Sequence, residues 1–176
     1  FKCFCEEIEV IYNDLLSLKD GKVADYIPQL EKVDHDAFAI SICTVDGQQF
    51  NIGDYDISFT AQSTCKPINY CMALKERGSQ NVHEFIGREP SGHGFNELAL
   101  NKNHRPHNPM INAGAIIACA LIGAEQSNAN RFESVLDCWK ELTGSSKIGF
   151  DNSVYLSERE TSDRNYALGY FMKEQG

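Results

Sequence analysis

The sequence is organised around residues 62–70, which read QSTCKPINY. Ser63 and Lys66 stand three residues apart at a predicted strand-to-helix junction, because residues 57–60 (Ile-Ser-Phe-Thr) alternate like a strand. Pro67 is tolerated only within about the first turn of a helix, which places the helix start near Ser63, with this serine as its N-cap. Residues three apart lie on one face of a helix, so the Lys66 amine can reach the Ser63 hydroxyl.

A serine next to a neutral lysine is a known nucleophile arrangement, in which the lysine takes the hydroxyl proton. The predicted helix start adds unpaired N–H groups and the positive end of the helix dipole, which favour a developing oxyanion. Such a base needs its pKa lowered by burial or by a nearby positive field. The spacing alone is a weak signal, since the same residues are more often a helix cap and a solvated lysine.

The composition excludes several classes of function. The 176 residues are 42% hydrophobic and carry a net charge of −9, which fits one globular domain and predicts neither nucleic-acid binding nor attachment to anionic membranes. The longest apolar run, residues 113–124, is too short to cross a bilayer. The seven cysteines are an odd number and lie mostly in apolar stretches, which favours a reducing compartment. They include no Cys-x-x-Cys pair, so neither a zinc ribbon nor a thioredoxin-type centre is predicted. Pro106 spoils the spacing of His104 and His107, so no metal site is predicted.

Hydrophobic periodicity and turn residues predict mixed helices and strands. An antiparallel hairpin turns at Asp46-Gly47, and a helix runs from near Ser63 to Glu76. Residues 85–107 are irregular, and Asn108-Pro109 predicts the start of an apolar, buried helix. The remaining helices are predicted over residues 4–18, over residues 131–142 with Trp139 in the core, and over residues 154–173. We expect residues 1–20 to form an N-terminal helix and residues 21–176 to form one domain.

A second group of polar residues is suited to bind a small substrate. Tyr26 lies in a loop-like segment, where it is either a packing anchor or available to a cleft. Asn112 is the one strongly polar side chain in the apolar helix, so it needs backbone or ligand partners. Glu158, Ser162 and Asn165 fall at i, i+4 and i+7 on one predicted helical stripe. A carboxylate for an ammonium and neutral donors for a carboxylate favour an amide substrate with an amino-acid head group.

The longer motifs resemble those of the serine-dependent glutaminases, close to the phosphate-activated kidney- and liver-type enzymes. Six stretches carry the resemblance in the family's order: residues 21–30 (GKVADYIPQL), 43–48 (CTVDGQ), 62–67 (QSTCKP), 89–92 (EPSG), 106–116 (PHNPMINAGAI) and 157–165 (SERETSDRN). They span most of the chain, so the resemblance is far more specific than the Ser-x-x-Lys pattern alone.

The resemblance implies hydrolysis of L-glutamine to L-glutamate and ammonia through an acyl-serine intermediate. It makes Ser63 the nucleophile and Lys66 its base. The positions that match the family's substrate contacts are Tyr26, Gln62, Asn112, Glu158 and Asn165. No cofactor or metal is implied, and phosphate is an expected activator through the loop at residues 92–102. Glu97 departs from this pattern, because many animal members carry lysine there.

The implied fold is α/β (α+β), a β-lactamase/transpeptidase-like arrangement with a helical cluster beside an antiparallel sheet. Family domains continue past residue 176 with two further active-site tyrosines, a second oxyanion N–H and the closing strands. Residues 21–176 are therefore expected to be the N-terminal portion of a catalytic domain that is incomplete at its C-terminus. The resemblance also implies a homo-oligomer, a dimer or tetramer, in the mitochondrial matrix for an animal enzyme and in the cytoplasm otherwise.

Two alternatives stay open on the sequence. A β-lactamase-like serine amidase carries Ser-Asp-Asn and Lys-Thr-Gly elements. The nearest strings here are Ser162-Asp163-Arg164-Asn165 and Leu142-Thr143-Gly144, and neither matches. The second alternative is a non-catalytic, glutaminase-like segment that acts as an assembly or regulatory partner.

Overall fold

The computed structural model describes residues 1–175, which form two compact units. The first unit holds residues 1–60 with 153–158, and the second holds residues 61–152 with those from 159 onward. The helices are α1 (Lys2–Leu15), α2 (Cys65–Arg77), α3 (Ser79–Phe85), α4 (Asn112–Leu121), α5 (Asn128–Thr143), α6 (Asn152–Glu160) and α7 (Asp163–Glu174). The strands are β1 (Ala39–Cys43) and β2 (Gln49–Gly53), and a 3₁₀ turn covers Gln62–Thr64.

In the first unit, β1 and β2 form the predicted antiparallel hairpin, with register from Ala39 opposite Gly53 to Cys43 opposite Gln49. Its turn contains Gly47 at φ 85°, a backbone conformation that glycine adopts without strain. Helix α1 packs on this hairpin through Tyr12, whose ring stacks on Phe38 at a centroid distance of 5.0 Å. The Asp46-Gly47 turn signal therefore predicted this hairpin correctly.

In the second unit, α4 is the central helix. One core cluster joins it to α2 and α3 through Ala73, Val82, Ile86, Ala118 and Ile122. A second cluster joins it to α7 through Ala113, Leu168 and Met172. The predicted burial holds for one side of this apolar helix, where Ala113, Gly114 and Ala118 are buried, but not for Cys119 and Ala120, which are exposed. The packing places the first residue of α4, Asn112, within reach of both α2 and α7.

Several boundaries differ from those predicted. The predicted start of α4 at Asn108-Pro109 is wrong, because the Asn108 side chain accepts hydrogen bonds from the backbone N–H groups of Met110 and Ile111 and closes a separate turn. The predicted C-terminal helix is in fact two helices. The first, α6, ends at Glu160, and the second, α7, begins at Asp163. Glu158 and Asn165 therefore lie on different helices and not on one stripe.

The end of α5 was predicted, but the helix begins at Asn128 and not at Arg131 as predicted. It ends where predicted, at Gly144, which takes the left-handed conformation at φ 61°. Trp139 is only half-buried, so its predicted place in the core is wrong. Helix α3, at residues 79–85, was not predicted at all. Over residues 1–175, none of the helices is long and apolar enough to cross a membrane.

Candidate active site

Ser63 lies in a 3₁₀ turn that leads directly into α2. The turn covers Gln62–Thr64, α2 begins at Cys65, and the N-cap of α2 is Thr64, whose side chain makes no capping bond. The prediction that Ser63 caps the helix is therefore wrong, while Pro67 does fall in the first turn of α2 as predicted. The Ser63 side chain is exposed at this junction. Because the Ser63 hydroxyl is exposed and does not cap the helix, a substrate can reach it.

The backbone of this turn is also unusual. Gln62 has φ 41°, in the left-handed region that few residues other than glycine adopt. Strained backbone of this kind occurs at functional sites, where it is held in place by its surroundings. The N–H groups of Thr64 and Cys65 donate to the carbonyls of Ala61 and Gln62. Within the part of the chain that the structure describes, the Ser63 N–H has no such acceptor, which leaves it free to donate to an oxyanion.

Lys66 begins a chain of hydrogen bonds across three helices. Its Nζ donates to Asn112 Oδ1 at 2.8 Å, and Asn112 Nδ2 donates to Asn165 Oδ1 at 3.0 Å. The structure thus brings together three predicted site residues from α2, α4 and α7. Within residues 1–175 the Lys66 amine is bonded to Asn112 and not to the Ser63 hydroxyl, so the predicted serine–lysine contact is not formed in this arrangement.

The surroundings of Lys66 favour its neutral form. Burial lowers the pKa of Lys66 from its ordinary value of 10.5, and only Cys65 acts in the opposite direction. The positive end of the α2 dipole also disfavours a cation at the second residue of the helix. A lysine with a lowered pKa holds a larger fraction of free amine near neutral pH, which is the form that can accept a proton.

Tyr26 and Glu158 form a pair within the first unit. The Tyr26 hydroxyl donates to Glu158 Oε1 at 2.6 Å and joins residues 132 positions apart in the sequence. Glu158 is half-buried. A carboxylate side chain is a group suited to bind an ammonium.

One contact at the site could not have been found in the sequence. The backbone N–H of Asn112 donates to the carbonyl oxygen of Phe95 at 2.9 Å. A backbone carbonyl is present at every residue and leaves no pattern, so no sequence signal points to Phe95. The contact ties the irregular segment before α4 to the residue that bonds Lys66.

Across residues 1–175 there is no group of three or more His, Cys, Asp and Glu side chains placed to hold a metal ion.

Comparison with known sequences identifies one family. The family model described as "Glutaminase" matches residues 21–176. The chain is 43% identical over 175 residues to "Glutaminase liver isoform, mitochondrial" of Rattus norvegicus, covering 99% of this chain and 29% of that protein. It is 40% identical over 178 residues to "Glutaminase 2" of Clostridium perfringens, covering 99% of this chain and 57% of that protein. The chain thus spans about a third to a little over half of these relatives.

Comparison with solved structures also finds close similarity, to crystal structures of Mglu. The crystal structure of Mglu in its native form is 38% identical, with a TM-score of 0.84, over 93% of this chain and 40% of that one. The crystal structure of Mglu in its glutamate form is also 38% identical, with a TM-score of 0.85, over 93% of this chain and 38% of that one. Together with the helices and the small antiparallel sheet, these similarities confirm the predicted α/β fold class.

Proposed function

The chain belongs to the glutaminase family, and from this premise we propose that the protein hydrolyses L-glutamine to L-glutamate and ammonia, with Ser63 as nucleophile and Lys66 as its base. The observation that carries the proposal is the position of an exposed serine hydroxyl three residues before a half-buried lysine of lowered pKa. The rat relative is named a glutaminase, and Mglu has been crystallised in a glutamate form.

The proposed reaction proceeds in two steps. In the first, Lys66 Nζ takes the Ser63 proton as Oγ bonds to the carbon of the substrate side-chain amide. The C–N bond then breaks, Lys66 returns the proton to the leaving nitrogen, and ammonia departs from an acyl-serine. In the second step water attacks the ester carbon and gives its proton to Lys66, and glutamate is released as Ser63 regains a proton. The Ser63 N–H and the α2 dipole stabilise the oxyanion in both steps.

The substrate-binding roles rest on residue chemistry and on the family resemblance. Asn112 and Asn165 supply neutral amides suited to a carboxylate, and Glu158 supplies a carboxylate suited to an ammonium, with Tyr26 holding it by a hydrogen bond. Gln62, in its strained conformation, is the fifth proposed contact. An α-amino acid carries both a carboxylate and an ammonium, which favours glutamine over a simple amide.

Ammonia release from glutamine by wild-type protein and by Ser63→Ala tests the proposal. Wild type should release ammonia, and the variant should lose about three or more orders of magnitude in kcat, as removal of a nucleophile typically does. Thr64→Ala, which changes the neighbouring hydroxyl in the same turn, is the matched control and should retain activity. Wild-type kcat in Ser63→Ala would show that the nucleophile assignment is wrong.

Three further proposals concern assembly, activation and location. We propose that the protein is a homo-oligomer, a dimer or tetramer, and light scattering measures its molecular mass. We also propose phosphate as an activator, and parallel assays with and without phosphate measure its effect. Because the rat relative is named mitochondrial, we propose the mitochondrial matrix for an animal protein. Turnover of a β-lactam chromophore without glutamine hydrolysis would favour the β-lactamase-like alternative instead.

A further inference from the structure

The backbone of Asn112 is held by a segment outside its own helix. Asn112 is the first residue of α4, and the first N–H groups of a helix have no acceptor within it. Here the Asn112 N–H donates to Phe95 O at 2.9 Å, while its side chain bonds Lys66 and Asn165. The position of the Phe95 carbonyl therefore bears directly on where the Asn112 side chain lies.

Phe95 lies in a turn between Gly94 and Glu97 that is closed by two hydrogen bonds of Glu97. The Glu97 N–H donates to Gly94 O at 3.2 Å, and in return the Glu97 carboxylate accepts the Gly94 N–H at 2.8 Å. The second carboxylate oxygen of Glu97 lies 3.1 Å from His93 Nδ1. One side chain thus binds both residues that precede Phe95.

The bond to the backbone is the stronger part of this arrangement. His93 and Glu97 are each about half exposed, at 50% and 54%, and ion pairs in that position contribute little. A hydrogen bond from a backbone N–H to an ionised carboxylate is charge-assisted and stronger than one between neutral groups. The contact is close enough that a Cβ on Gly94 would lie 2.9 Å from Glu97 Oε1.

We infer that Glu97 is a positioning residue of the active site: its carboxylate holds the Gly94–Glu97 turn so that the Phe95 carbonyl fixes Asn112 beside Lys66. The functional part of this inference rests on the proposed glutaminase function. The role requires an acceptor side chain at position 97. Lysine, which the family resemblance leads one to expect there, has only donors and cannot accept the Gly94 N–H.

Hydrogen exchange of individual amides in the chain itself tests the contact without any assay of activity. In Glu97→Ala, the Asn112 N–H should exchange about 3- to 10-fold faster, the factor that loss of one such hydrogen bond gives. Glu97→Gln keeps an acceptor and should restore slow exchange. The Ala115 N–H, which donates to Ile111 O within α4, is the internal reference and should not change. Glu84→Ala, at an exposed glutamate on α3, is the matched control.

The kinetic arm follows the same variants. Glu97→Ala should raise KM for glutamine and lower kcat, each about 3- to 10-fold, because Asn112 is proposed to bind substrate and also holds the Lys66 amine. Unchanged Asn112 exchange in Glu97→Ala would overturn the inference, as would equal acceleration at Ala115, which would indicate general loosening of α4. If the exchange result holds but wild type does not hydrolyse glutamine, the positioning contact stands and the proposed function fails. If Glu97→Ala does not fold, Gly94→Ala gives the same readout, because its Cβ displaces the carboxylate.

Discussion

Gly114→Ala should destabilise the protein even though alanine is the better helix former. A Cβ at this position would lie 1.9 Å from the Asn108 carbonyl oxygen, 2.7 Å from the Asn108 carbonyl carbon and 2.9 Å from Pro109 Cα. All three are backbone atoms, so the contact cannot be relieved by rotating a side chain. Gly114 is buried in α4, two residues after Asn112, and the helix or the turn before it must move.

The expected loss of stability in Gly114→Ala is the difference between two opposing contributions. Overpacking a well-packed site costs about 1–3 kcal/mol, and a clash with rigid backbone belongs at the upper end of that range. The higher helix propensity of alanine returns about 1 kcal/mol. The net loss should therefore be about 2 kcal/mol, which in a domain of this size lowers Tm by about 4–8 °C.

Gly169→Ala is the matched control, since it makes the same chemical change in another helix. Gly169 lies within α7, and a Cβ there would meet nothing within 4 Å. With no clash to oppose it, helix propensity should stabilise this variant by about 0.5–1 kcal/mol. Urea and thermal unfolding of both variants should therefore give shifts of opposite sign. Equal shifts, or a Gly114→Ala variant as stable as wild type, would refute the packing argument.

Two further predictions follow from the buried titratable groups. Because burial lowers the folded-state pKa of Lys66, the unfolded chain binds more protons between that value and 10.5, and wild-type stability rises with pH through this window. Lys66→Met lacks this term, so urea unfolding should show it losing stability relative to wild type as pH approaches 10.5, and a pH-independent difference would contradict burial as the cause. Burial also raises the pKa of Cys65, which is partly buried, so iodoacetamide should label it about 10-fold more slowly at neutral pH than exposed Cys71. Peptide mass spectrometry measures the rates, and equal labelling of the two thiols would be inconsistent with this prediction.

Sequence reasoning predicted the elements whose signals are local. Asp46-Gly47 specifies a tight turn, Pro67 restricts where α2 begins, and Gly144 adopts the left-handed conformation that ends α5. Each of these residues acts through its own backbone, so no knowledge of its neighbours in space is needed. Asn112 of the polar network was also found, because a strongly polar side chain in an apolar helix needs partners.

The errors arose where a local signal had two structural outcomes. Asn108 followed by proline is typical of a helix start, but its side chain equally closes a turn when Ile111 is extended, at φ −78° and ψ 159°. The nine polar residues from 157 to 165 carry no apolar periodicity, so the break between α6 and α7 left no trace. In both places the short window of sequence is compatible with either outcome.

The bond between Lys66 and Asn112 changes how the serine–lysine pair should work. A neutral amine has two hydrogens and one lone pair, and donating one hydrogen to Asn112 Oδ1 leaves the lone pair able to accept the proton of Ser63. A charged ammonium could make the same bond but has no lone pair, so the proposed role of Lys66 as a base depends on its lowered pKa. The bond to Asn112 restricts the rotation of the amine, and the backbone of Asn112 is in turn bonded to the Phe95 carbonyl. In this proposal burial sets the fraction of neutral amine, whereas the direction of the amine is set by a residue 46 positions away in the sequence.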